Sequence, residues 1–149
     1  MYSKYVFTFI ALLIGGLIAV QGSINTQLSS YLRHPLQASF TNFLVGTICL
    51  LFINVLLRTG MPKGQELTGI PVYLFFGGIL GAIFVSSVVI LIPKIGVTTM
   101  LGATIAGQMV IATFIDHHGY FNVPVHAASP GRVMGIVLLL AGIFLIQRF

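Results

Sequence analysis

The sequence predicts an all-α integral membrane protein with five transmembrane helices, and three observations point there. Of 149 residues, 57% are hydrophobic and only 6% charged, with a mean hydropathy of +1.06, a balance far from that of a water-soluble domain. Five apolar stretches approach or exceed the roughly 20 residues that cross a bilayer as helix. All 6 prolines fall between or at the edges of those stretches, where they punctuate the chain. The expected spans are 5–31, 36–57, 71–92, 97–115 and 131–146, one five-helix domain over residues 1–149 surrounded by the lipid bilayer.

The first stretch, Tyr5 to Tyr31, would be about 40 Å long as a helix, more than the hydrocarbon core. It is expected to tilt, to bend near Gly15 and Gly16, or to protrude. It is longer than the apolar core of a secretory signal and has no small-residue cleavage site, so it is expected to be retained as a span. Within it, Gln21 and Asn25 lie one helical turn apart on one face, flanked by Gly22, Thr26 and Ser29. An unpaired amide in hydrocarbon is costly, so such a pair is kept where it meets polar groups across a helix interface or lines a wet cavity. Gln21 and Asn25 are therefore candidate substrate-binding residues. The alternative is that both glue helices together, at roughly 0.6 to 2 kcal/mol per bond.

Pro35 disfavours helix at His34 and suits the first turn of a second span, Leu36 to Leu57. Gln37, Ser39, Thr41 and Asn42 near its start and Asn54 near its end sit where an interface is expected and take structural roles. Cys49 reads as a small buried hydrophobe. Arg58 to Gly69 has no apolar period and reads as a loop. Pro71 opens the third span, with Tyr73 as an interfacial anchor and Gly77, Gly78 and Gly81 as a small-residue packing face. Pro93 to Gly96 are expected to end it. The fourth span carries a second seam, Gly102, Ala103, Ala106 and Gly107, followed at once by Gln108, the third deep amide. Gln108 is expected to share a cavity with Gln21 and Asn25. In the fifth span Gly135 and Gly142 stand one heptad apart, which suits packing or dimerisation better than binding.

The chemistry that is absent narrows the function. The net charge of +5 comes from seven Lys and Arg scattered between apolar runs, with no patch to follow a phosphate backbone, so no nucleic acid is expected as a partner. Only Glu66 and Asp116 are acidic, and neither falls inside a span. Carriers of organic cations need an intramembrane acid to offset a desolvated positive charge. Gln, Asn, Ser and Thr instead suit a neutral, zwitterionic or anionic small polar solute. Asp116 and His117 form a possible coupling or gating pair, since His changes charge near neutral pH; the bland reading is a polar helix end. Adjacent His117 and His118 point about 100° apart on a helix and have no Cys beside them, so no metal is expected. No nucleophile triad at membrane depth, nucleotide loop or haem ligand pair is present, so neither an enzyme nor a cofactor is expected.

With those residues on the page, the chain resembles the YdcZ-like branch of the drug/metabolite transporter superfamily, the five-span members. The resemblance runs nearly end to end. It rests on Gln21 with Asn25 and Leu28, Pro35 followed by Phe43 and Gly46, Gly77 to Gly81, and Pro93 with Gly96. It continues through Gly107 with Gln108, Asp116 with His117 and Gly119, then Arg132, Gly135, Ala141 and Gly142. His118 departs from the pattern, which has an aromatic such as Phe there. The resemblance implies a cell-membrane location and half of a ten-helix fold built from two inverted five-span halves, so that one half pairs with a copy of itself. Charge sorting suits an antiparallel homodimer: Lys4, Arg58, Lys63 and Arg132 fall on one side, Arg33, Lys94 and Arg148 on the other. So even a split gives almost no orientation signal. The expected function is a transporter that moves a small polar metabolite by alternating access; the competing reading is a non-transporting membrane subunit that assembles with a partner protein.

Overall fold

A computed structural model describes residues 2–149. The side chains of Tyr2, Ser3, Lys4, Gln65 and Glu66 lie outside the description, so the placing of Lys4 and Glu66 charge stays an expectation. Six α-helices and two short 3-10 turns are described. They are α1 (Tyr2–Leu32), α2 (Pro35–Leu57), α3 (Gly64–Thr68), α4 (Phe76–Ile95), α5 (Val97–His118) and α6 (Pro130–Arg148), with the turns at Val72–Phe75 and Tyr120–Asn122. Five segments are long and apolar enough to cross a membrane: Tyr5–Leu32, Pro35–Leu57, Val72–Ile95, Val97–His118 and Pro130–Arg148. The all-α, five-span class is thus present.

Helix ends follow the local chemistry. Arg33 takes a left-handed φ of 60°, His34 accepts the Leu36 N–H on Nδ1 at 3.2 Å as N-cap, and Pro35 fills the first helical position, where its missing donor costs nothing. The end of α2 is a left-handed C-cap at Arg58, whose N–H reaches back to the Asn54 and Val55 carbonyls. Ser129 caps α6 by accepting the Arg132 N–H at 3.3 Å, again with Pro at the helix start.

Three local expectations are corrected. Helix α4 does not stop before Pro93 but carries it and ends at Ile95, with the break at Gly96, whose φ is 81°. Proline removes one donor and crowds the preceding turn, and with only two helical residues following it the last turn tolerates that loss. The loop after α2 is not wholly irregular, since Gly64–Thr68 winds into one short helix; Gln, Glu and Leu are good helix formers, and Leu67 N–H bonds the Lys63 carbonyl. Cys49 is exposed, not buried, on the outer surface of α2.

The chain divides into two compact units, one through Lys94 and the other Ile95–Phe149. In the first, α1 packs along α2, and α4 meets both of them through side chains. A Cβ built on Gly22 would stand 3.1 Å from Val88 Cγ1 and Ile92 Cδ1, and one on Gly81 3.6 Å from Phe43 Cζ. In the second, α5 packs along α6, and a Cβ on Gly102 would stand 3.1 Å from Ile143 Cγ1. Glycine is what allows the two 3.1 Å approaches, at Gly22 and Gly102. Buried hydrophobics are few and mostly small: Ala38, Val88, Val89 and Ile92 in the first unit, Met100, Ala106 and Ile143 in the second. Large apolar side chains such as Leu12, Leu17 and Phe52 are about two-thirds exposed or more, which lipid tolerates and water would not.

Candidate functional site

The amide face of α1 begins with residues that satisfy themselves. Ser23, Thr26 and Ser30 donate to backbone carbonyls of their own helix, Thr26 Oγ1 to Gly22 O at 2.9 Å and Ser23 Oγ to Ala19 O at 3.0 Å. Hydroxyls can always do this in a helix; the amides on α1 do not. Asn25 is only 4% exposed, yet its carboxamide makes no hydrogen bond among the described residues. No wholly covered side-chain N or O atom in the described chain lacks a partner, so the sliver of surface that Asn25 keeps includes its amide tip. An amide tip left accessible and unbonded on an otherwise buried residue has its donor and acceptor still to use; Asn25 does not line the groove that Gln21 does.

Gln21 stands one turn from Asn25 and is exposed. It lines a groove of about 370 Å³ together with Asn42, Phe43, Gly46, Thr47 and Leu50 of α2. On α2 four polar side chains are locally spent: Ser39 Oγ donates to Pro35 O at 3.2 Å, Thr41 Oγ1 to Gln37 O at 2.8 Å, Thr47 Oγ1 to Phe43 O at 2.8 Å and Asn54 Nδ2 to Leu50 O at 2.8 Å. The Thr59 hydroxyl donates to Asn54 Oδ1. Asn42 is half-buried and, like the exposed Gln37 carboxamide, makes no hydrogen bond among the described residues. The structural roles expected for Ser39, Thr41 and Asn54 match these bonds. Asn42 instead joins Gln21 on the groove wall.

In the second unit Gln108 is exposed on α5 without a hydrogen bond among the described residues. The C-terminal end of α5 forms a laced corner. Arg132 Nη1 lies 3.4 Å from Asp116 Oδ2 and donates to His126 O at 3.2 Å, while His126 N–H donates to Asp116 O at 2.9 Å. His117 does not pair with Asp116; its Nδ1 accepts the Ala128 N–H at 3.2 Å. His118 stacks on Tyr120 with ring centroids 5.4 Å apart and sits 4.6 Å from Phe114. The aromatic expected at position 118 is thus replaced by a ring that stacks as an aromatic would.

The model of one family, described as "putative inner membrane exporter, YdcZ", matches residues 6–145. The chain belongs to the YdcZ family. It is accordingly a multi-pass protein of the inner membrane in a family of transporters, which five apolar helices accommodate. No curated protein and no solved structure matches it.

Among the glycines of this YdcZ-family chain, two kinds separate. Gly81 and Gly102 face side chains of the same chain, whereas Gly77, Gly107, Gly135 and Gly142 would meet nothing within 4 Å. Gly22, which the sequence marked only as a neighbour of the amides, is the one α1 glycine whose built Cβ would crowd another helix, at 3.1 Å from Val88 and Ile92. Asn42 also had a readable signal: it lies seven residues after Pro35 as Asn25 lies seven residues before Leu32, so a two-residue turn sets the two amides at one depth on antiparallel neighbours.

Proposed function

We propose that this chain is a transporter of a small neutral, zwitterionic or anionic polar metabolite, with Gln21, Asn25 and Gln108 as substrate-binding residues and Asn42 added to them. The observation that carries the proposal is Asn25, buried and unbonded with its amide tip open. An assembly module gains nothing from such a group, whereas a carrier needs an accessible donor and acceptor whose bonds are completed by its cargo. Amides give and take hydrogen bonds without bringing charge into the membrane, which fits a solute whose own charge, if any, is balanced or negative. Asp116 and His117 are proposed as a gating pair only through the corner they brace, Asp116 by Arg132 and His117 by the Ala128 amide.

The chain works as an inverted homodimer that alternates access. Four cationic residues against three give either orientation almost equal standing, and inverted copies create the pseudo-symmetry from which two equivalent end states arise. The open glycines Gly107 and Gly142 are the faces on which a second copy can approach closely. No catalytic role is assigned to any residue. The test is a ligand-dependent thermal-shift screen of polar metabolites on detergent-purified protein, since a solute at 100 times its dissociation constant adds about 2.7 kcal/mol. Hits on the parent chain that vanish in Asn25→Ala and Gln21→Ala, with both variants still the same oligomer, support the reading; hits that persist in both overturn the site.

A further inference from the structure

A groove of about 470 Å³ runs between α5 and α6, and its two ends differ in chemistry. One end is the Asp116 and Arg132 pair; the walls beyond are Met109, Gly135, Ile136 and Leu139. Asp116 is two residues from the end of α5 and Arg132 two residues from the start of α6, so the charges sit within one turn of both helix ends. Met109 and Leu139 each lie seven residues deeper, which places the apolar walls about 10 Å along the helices. Tyr120 stacks beside the corner on His118, where an amphipathic ring marks the boundary between headgroups and hydrocarbon.

We infer that this groove binds a phospholipid with a primary-amine zwitterionic headgroup, its phosphate on Arg132, its ammonium on Asp116 and one acyl chain along Gly135 toward Met109 and Leu139. The occupant follows from charge complementarity. The Asp116 and Arg132 side chains are 33% and 42% exposed and 3.4 Å apart, a loose pair that gives up little when each partner is exchanged for a headgroup charge. Arg132 uses Nη1 for both its bonds, which leaves the other N–H donors of its guanidinium for a phosphate. A glycerol headgroup brings the same phosphate beside Asp116 with no cation to offset it. A choline headgroup brings the cation but no N–H to donate to the carboxylate. A small polar solute leaves the apolar walls unfilled, so the tail is part of the recognition. Gly135 has nothing within 4 Å of a built Cβ, and its bare backbone is what keeps the groove open midway.

Native mass spectrometry of the detergent-purified full chain, titrated with phosphatidylethanolamine, phosphatidylcholine and phosphatidylglycerol of one acyl composition, tests this directly. Phosphatidylethanolamine is expected to bind most tightly, by roughly tenfold over phosphatidylglycerol, the worth of one charge-assisted bond. Asp116→Asn should erase the preference for ethanolamine over choline while binding continues, and Arg132→Gln should weaken all three lipids. Gly135→Leu should block the groove and weaken them alike, with far-ultraviolet circular dichroism and elution volume checking its fold. Equal affinity for the three headgroups, wild-type binding by Gly135→Leu, or competition by soluble phosphoethanolamine as strong as by the lipid would each overturn the inference, the last in favour of a soluble solute.

Discussion

Asn25 is where stability and activity are expected to pull apart. Asn25 is buried except at its amide tip, and leucine has nearly its shape while placing no polar atom in that setting. Asn25→Leu should therefore unfold at a temperature equal to or above that of the parent in a detergent thermal melt, and should lose solute binding. If the variant melted lower, the amide would have a partner that stabilises it and the carrier reading would weaken. The glycines give a second residue-level contrast. Gly22→Ala puts a methyl 3.1 Å from both Val88 and Ile92, and overpacking of that kind costs about 1 to 3 kcal/mol. Gly142→Ala meets open space and should be neutral to slightly stabilising in the monomer. A loss of dimer without a change in melting temperature would then locate the contact at Gly142.

At the scale of elements, the corner between α5 and α6 is held by several small bonds, the ion pair among them. With both side chains a third or more exposed, the pair contributes less than about 1 kcal/mol. Asp116→Asn should change the melting temperature little and leave solute binding largely intact. A solute affinity that is pH-dependent in the parent and loses that dependence in Asp116→Asn would promote Asp116 to a coupling role. Helix α5 is capped by Gly119, whose φ of 66° and 2.7 Å approach of a built Cβ to Val125 Cγ2 leave no room for a side chain. Gly119→Ala should cost about 1 to 2 kcal/mol and disturb the loop that His117 and Arg132 anchor, visible as faster proteolysis between Tyr120 and Ser129.

At the scale of the whole molecule the question is orientation. Five spans put the termini on opposite sides of the membrane, and a charge difference of one hardly decides which. A C-terminal tag should therefore be reachable from both sides of the cell membrane in one population. Cysteines introduced as Lys4→Cys and Arg148→Cys in a Cys49→Ser background should crosslink unlike termini. Tags on one side only, with crosslinks between like termini, would remove the inverted dimer and favour the non-transporting subunit.

Five spans, their turns at Pro35, Gly96 and Pro130, and the place of Gln21, Asn25 and Gln108 within apolar runs were all legible in the residues. Each depends on local terms: apolar length against bilayer thickness, proline geometry, and the cost of an amide in hydrocarbon. Family membership was legible too, because the spacing of Gly, Pro and amides is itself linear. The pairing of Asp116 with Arg132 in place of His117 was not, since it depends on how the loop after α5 folds back over sixteen residues. Nor was the promotion of Asn42 from helix-end polarity to groove wall, or the division of glycines into packed and open. Those are facts about which faces meet, and periodicity names a face without naming its neighbour. The sequence alone determined five apolar spans with amides set within those runs; the tertiary structure decided that Asn25 is buried with its amide tip open and unbonded, because only packing sets which part of a side chain is covered.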